Sequence, residues 1–301
     1  MTREAISTEL WADGPLFEWC GEEQACADAG PVLLSVPHAG RAYAAPVLAR
    51  SRMGRSHLQR LEDRLADLLI GDLIAGGQPA LVARVPRAVI DLNRDPRDVD
   101  AIMVRGIPHG QPLIQSLKQR GGLGLFPRSL PRMGELWRGP MGWDEAQSRI
   151  AHMHGAYHHE LERALDRRLA RHGQALLLDI HSMPPLPPSL PDGDRPDIVI
   201  GDRFGATAAG RLSEMAESLL QAEGLKVALN HPYAGSYLIE RHGRPRQGRH
   251  AMQIEISRDL YLEERLEEPG AGLPRMRRIL RLLVEALAQD LSRDRWSEAA
   301  E

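Results

Sequence analysis

The chain has 301 residues, enough to bury a sizeable core, and a single domain over residues 1–301 is the default expectation. Its 43% hydrophobic and 26% charged fractions are ordinary globular values. A net charge of −3 with only 4% aromatic residues argues against a nucleic-acid partner on electrostatic and stacking grounds.

No run approaches the roughly 18 apolar residues of a membrane span, so no membrane partner is expected. The opening stretch MTREAISTELWADG lacks the apolar segment of a secretory signal, which predicts a cytoplasmic location. Cys20 and Cys26 cannot build a disulfide framework or a thiolate cage and are expected to be reduced. Any metal must then be held by histidine and carboxylate. Lys118 and Lys226 are the only lysines, so the positive charge is nearly all arginine, whose forked guanidinium suits planar carboxylates.

In chain order, apolar runs bounded by turn residues predict strands at 31–36 (PVLLSV), 80–85 (ALVARV), 88–92 (AVIDL), 175–180 (ALLLDI), 197–201 (DIVIG), 226–230 (KVALN) and 252–256 (MQIEI). Between them, helical periodicity predicts helices at about 56–75, 144–172, 205–223 and 272–292. The glycine- and proline-rich stretch 105–143 has little periodicity and reads as a long excursion or lid. Strands alternating with helices predict a layered α/β sandwich with a mainly parallel sheet.

In such sheets ligands gather outside the carboxyl ends of the strands. The first strand ends SVPHAG with His38, the pair at 80–94 ends DLNR with Asn93 and Arg94, and the leucine strand ends DIHS with His181. Two imidazoles and one carboxylate are a common ligand set for a catalytic zinc that keeps its fourth position for water. Glu62 and Asp63 are the candidate carboxylates, and Asp179 is placed to orient a ring from behind. Glu255 lies between Ile254 and Ile256, and a carboxylate inside an apolar strand must be paired, solvated in a cleft or ligated.

Three further signals carry less. HMHGAYHHE at 152–160 puts His154 and His158 one helical turn apart, but without the acid of a metal-binding helix it reads as a polar helix face. GGLG at 121–124 lacks the strand and helix of a nucleotide fingerprint and reads as a hinge or lid. RHGRPRQGRH at 241–250 reads as an anion-binding substrate loop rather than a nucleic-acid patch.

SVPHAG, EDRLADLL, ARVPRAVIDLNRDP, DIHS, RHGRP and HAMQIEISRDLYLEE, in this order over about 31–265, resemble the N-formylglutamate amidohydrolase family. That family is similar in fold to the zinc carboxypeptidases and the succinylglutamate and aspartoacyl deacylases. The resemblance implies a three-layer α/β/α sandwich with a mixed sheet. It implies a metal-dependent hydrolase of N-acyl amino acids, with N-formyl-L-glutamate as the leading substrate and Zn2+ or another divalent transition metal as cofactor. Carried across residue by residue, it puts the metal on His38, His181 and Asp63, the last in preference to Glu62, and makes Glu255 the general base. Arg87, Asn93 and Arg94 fall where relatives hold a substrate carboxylate or polarise the scissile carbonyl. Arg94 is expected on one carboxylate of the substrate and Arg241 or Arg87 on the other. The chain departs from the family's PHSGT and GGYITRHYG with PHAGR and AGSYLIERHG, loops expected to line the acyl or amino-acid pocket. The alternatives are a deacylase or carboxypeptidase for another acidic substrate, and a non-catalytic carboxylate-binding protein.

Overall fold

The computed structural model describes residues 11–12, 14–21, 30–188 and 194–298, with side chains to 293; Cys26 and most of the opening stretch lie outside the described residues. Seven strands form one mixed sheet: β1 (Phe17–Cys20), β2 (Val32–Val36), β3 (Ala80–Ala83), β4 (Ala175–Met183), β5 (Ile198–Gly201), β6 (Val227–Leu229) and β7 (Arg249–Ser257). Their order is β1-β3-β2-β4-β7-β5-β6. β2 runs parallel to β3 and β4, β4 to β7 and β5 to β6, while β7 meets β5 antiparallel. All nine residues of β4 are buried, as expected of a central strand covered on both faces, which is why its sequence is a leucine run rather than an alternation. This is the α/β fold with a mixed, mainly parallel sheet expected from the sequence.

The chain divides into two compact units. One comprises Trp19–Val36, Asp63–Val82 and Glu160–Glu301 and carries most of the sheet. In it, helix Leu273–Glu298 packs on helices Ala66–Leu69, Gly71–Ala75 and Gly210–Ala222 and on β2, and helix Tyr237–His242 packs on β7 and β4. Among the described residues no helix is long and apolar enough to cross a membrane.

The other unit comprises Met1–Glu18, Pro37–Glu62 and Ala83–His159. Its apolar centre includes Val85, Val89, Ile90, Leu92, Leu125, Phe126, Met153 and Tyr157, all buried. The expected excursion at 105–143 holds only two-residue strand pairs, Val104–Arg105 with Met141–Gly142 and Ser129–Leu130 with Gly134–Glu135, and the one-turn helix Leu117–Arg120.

Several expected elements differ. AVIDL at 88–92 is not a strand: Val89 N–H closes a turn onto Pro86 O, and Asp91 N–H donates to Leu125 O. Its apolar residues are buried, but helix side chains take its carbonyls, Arg149 at Val89 O (2.8 Å) and His158 at Leu92 O (2.9 Å). A short apolar run cannot distinguish a buried loop from a buried strand. The helix expected over 56–75 is broken into short helical turns, with Glu62 extended and Leu65 left-handed at φ 56°. The helix expected from 205 begins at Gly210, after left-handed Arg203, Phe204 and Gly205. β1 was not foreseen, because four half-buried residues carry no clear alternation.

Candidate metal and substrate site

β4 and β7 pair in parallel with His181 directly opposite Glu255 and Asp179 opposite Gln253. Residues paired across neighbouring strands point to the same face, so these four side chains share one side of the sheet. Ser35 on β2 pairs with Asp179 and donates from Oγ to Asp179 Oδ1 at 3.0 Å. Asp179 Oδ2 lies 2.8 Å from His181 Nε2, and Asp63 Oδ2 lies 2.8 Å from His181 Nδ1. Asp63 sits in the break between the extended Glu62 and the left-handed Leu65. Burial opposes protonation of His181, but Asp179 and then Asp63 outweigh it and raise its pKa well above the ordinary imidazole value. Glu255 is half-buried, and its Oε1 accepts from Gln253 Nε2 at 2.7 Å.

Glu62, the alternative carboxylate, accepts from the Tyr43 hydroxyl at 2.8 Å. Arg241 donates to the Tyr237 hydroxyl at 3.1 Å and lies 3.8 Å from Glu162. Ile239 is buried in the core, and Glu240 pairs with Arg203 at 3.0 Å. Arg244 and Arg246 line a cavity of about 580 Å³ with Arg203 and Glu240, and neither His181 nor Glu255 is among its lining residues.

In the other unit, His38 Nε2 donates to Asp91 Oδ1 at 2.7 Å, and both side chains are buried. Asp91 Oδ1 also accepts from Asn93 N–H at 2.9 Å, while its Oδ2 accepts from Arg87 Nε at 2.9 Å and Nη2 at 2.8 Å. Arg94 Nε stands 3.6 Å from the same Oδ2. Burial pushes the Asp91 pKa up, but Arg87, His38 and Arg94 together hold it well below the usual carboxylate range. The His38 loop fits closely because Gly40 has no side chain: a Cβ there would lie 1.9 Å from Val85 O.

Taken together, His38, Asp63 and His181 are all buried and each offers one ligand-capable atom within 4.8 Å of the others. Two imidazoles and a carboxylate suit zinc and similar divalent metals. Each imidazole also has one ring nitrogen on a further carboxylate, Asp91 for His38 and Asp179 for His181. Such outer partners are the usual companions of a ligating histidine, so the residues present fit a divalent metal.

The sequence profile of the N-formylglutamate amidohydrolase family matches residues 30–262. The chain belongs to this family. An N-formylglutamate deformylase of Pseudomonas aeruginosa is 29% identical over 271 residues, covering 87% of this chain and 92% of that protein. One of Pseudomonas putida is 31% identical over 245 residues, 78% of this chain and 82% of its own length. The crystal structure of an N-formylglutamate amidohydrolase from Ralstonia eutropha JMP134 superposes with a TM-score of 0.83 at 31% identity, covering 92% of this chain and 99% of that one.

In this member of the N-formylglutamate amidohydrolase family, three residues around the site escaped the sequence reasoning. Asp91 was passed over for its neighbours Asn93 and Arg94, although an acid in an apolar run with arginines four before and three after it was a visible signal. Arg258 donates from Nε to Ser182 Oγ at 3.1 Å and lies 3.6 Å from Asp63 Oδ1. The Tyr261 hydroxyl donates to Arg64 O at 2.5 Å, beside Asp63. Both belong to the closing motif QIEISRDLY, whose conspicuous member had been Glu255.

Proposed function

We propose that this chain hydrolyses the amide bond of an N-acyl amino acid in a metal-dependent reaction, with N-formyl-L-glutamate giving formate and L-glutamate. The observation that carries the reading is the buried His38, Asp63 and His181 group in a chain of this family. Its curated relatives named N-formylglutamate deformylase support the substrate.

His38, Asp63 and His181 would hold the metal, with Asp91 and Asp179 fixing the two rings from behind. With Nε2 of each ring on its carboxylate, Nδ1 is the atom either ring would offer. Bound there, a divalent metal supplies the acidity that makes water a nucleophile near neutral pH and polarises the acyl carbonyl. Glu255, beside His181 on the same face of the sheet, accepts the proton of the attacking water and returns it to the nitrogen of glutamate as the C–N bond breaks. Hydroxyl and proton together complete formic acid and the free amine. Gln253 donates to Glu255 and so aims its carboxylate.

The substrate carries two carboxylates. Arg94, Asn93 and Arg87 would meet one of them or the scissile carbonyl, and Arg241 the other carboxylate. Arg87 already pairs with Oδ2 of Asp91, so in this reading its role toward substrate is shared with orienting His38.

Metal content and turnover test the proposal together. Protein purified without chelator should carry about one divalent transition metal per chain and release formate and glutamate from N-formyl-L-glutamate. Chelation should abolish turnover and zinc should restore it. Protein with neither bound metal nor turnover of N-formyl, N-acetyl or N-succinyl amino acids would overturn the reading.

A further inference from the structure

The helical run Trp143–His172 contains a π turn at Ile150–Gly155. In an α-helix residues five apart point about 140° away from each other, whereas a π turn brings residues five apart onto one face. Arg149 and His154 are five apart across this turn, and His154 and His158 are four apart in the α-helical geometry that follows. The π turn therefore joins Arg149, His154 and His158 into one face. Each of the three meets a main-chain carbonyl of the segment that carries Asp91, Asn93 and Arg94: Arg149 Nη1 at Val89 O (2.8 Å), His158 Nε2 at Leu92 O (2.9 Å) and His154 Nε2 at Arg94 O (2.8 Å). A carbonyl only accepts, so both imidazoles carry their proton on Nε2 in these bonds. The two rings lie with centroids 4.3 Å apart and planes tilted by 42°, and both side chains are buried.

Among the described residues the segment forms no strand pairing, although it holds Arg94 and, through Asp91, His38. A substrate-facing arginine on a turn needs support from behind to be held to the fraction of an ångström that recognition requires. We infer that His154 and His158 are positioning residues that clamp the Leu92 and Arg94 carbonyls and thereby hold Asn93 and Arg94 in register for the substrate carboxylate. The inference rests on the proposed substrate role of Arg94. It moves His154 and His158 of the HMHGAYHHE motif from a polar helix face to a buried support.

The test compares steady-state kinetics of the metal-loaded His154→Ala, His158→Ala, Arg94→Ala and His158→Ala/Arg94→Ala proteins on N-formyl-L-glutamate, with His154→Gln and His158→Gln as conservative variants. Glutamine keeps an N–H donor close to the place of Nε2. Each single histidine-to-alanine variant should raise KM by roughly 5- to 10-fold, the factor that loss of one hydrogen bond's worth of pre-organisation produces, with a smaller change in kcat. The glutamine variants should recover most of that KM, and His158→Ala should add little once Arg94 is already alanine. If Arg94→Ala raises KM while the histidine variants lower only the melting temperature, the clamp is purely structural: the inference is overturned and the substrate reading stands. If Arg94→Ala leaves KM unmoved, the substrate role of Arg94 falls and the positioning role falls with it. Should an alanine variant fail to fold, its glutamine partner decides: a normal KM supports the donor argument, and a raised KM in a folded glutamine variant with both carbonyls still bonded overturns it.

Discussion

Replacing Asp91 separates two jobs that its carboxylate does at once. Asp91 is 1% exposed and takes two hydrogen bonds from Arg87, one from His38 Nε2 and one from the Asn93 backbone, with Arg94 at 3.6 Å. Asp91→Asn keeps an oxygen for His38 and Asn93 but turns an NH2 group toward the donors of Arg87 and removes the negative charge between two guanidiniums. Removing one partner of a buried ion pair costs about 3–5 kcal/mol. The Arg87 side chain is 21% exposed and recovers part of its hydration, so a loss near the lower end, about 3 kcal/mol, is expected. Asp91→Ala should lose at least as much and also leave His38 without its orienting acceptor, which weakens metal binding by roughly 10- to 100-fold. Urea unfolding of the chelated proteins measures the first effect and competition titration with a metal indicator the second. An Asp91→Asn protein within about 0.5 kcal/mol of the parent would show that the arginines do not depend on this charge. Equal metal affinity in the asparagine and alanine variants would remove Asp91 from the orientation of His38.

Three shorter predictions follow from the same geometry. Glu255→Gln keeps the shape beside His181 but cannot accept a proton, so metal content should be unchanged while kcat falls by roughly 10² to 10⁴; near-normal turnover would exclude Glu255 as the base. Arg94→Lys keeps the charge and loses the paired donors, so kcat/KM for N-formyl-L-glutamate should fall by about tenfold or more, and an equal loss on N-formylmethionine would place Arg94 at the shared amide instead of a side-chain carboxylate. Gly40→Ala forces a Cβ into the space of Val85 O, where the gap is 1.9 Å, and backbone must move; a cost of about 1–3 kcal/mol in unfolding free energy is expected, and an unchanged melting temperature would show that the His38 loop is not tightly seated.

Much of the sheet could be read directly from local pattern. PVLLSV, ALVARV, ALLLDI, DIVIG, KVALN and MQIEI all contain strands, because continuous apolar runs of that length between turn residues suit a sheet covered on both faces. The order of short motifs was enough to place the chain in its family. Local pattern reports that a residue is buried; it does not say what satisfies the backbone beside it. That is why AVIDL looked like a strand and proved to be a turn whose carbonyls are taken by Arg149 and His158, more than fifty residues further along the chain. The same limit hid the pairing of Asp91 with His38 and of Arg258 with Asp63, residues far apart in the sequence. Leucine periodicity over 56–75 promised a continuous helix, whereas the segment is broken beside Asp63, with Glu62 extended and Leu65 left-handed and buried. Helical spacing suggested a polar face for His154 and His158, and the π turn buries them. Composition and periodicity are averages over neighbours in sequence, whereas a site is a coincidence in space of atoms far apart in sequence, and that coincidence is set by the tertiary fold.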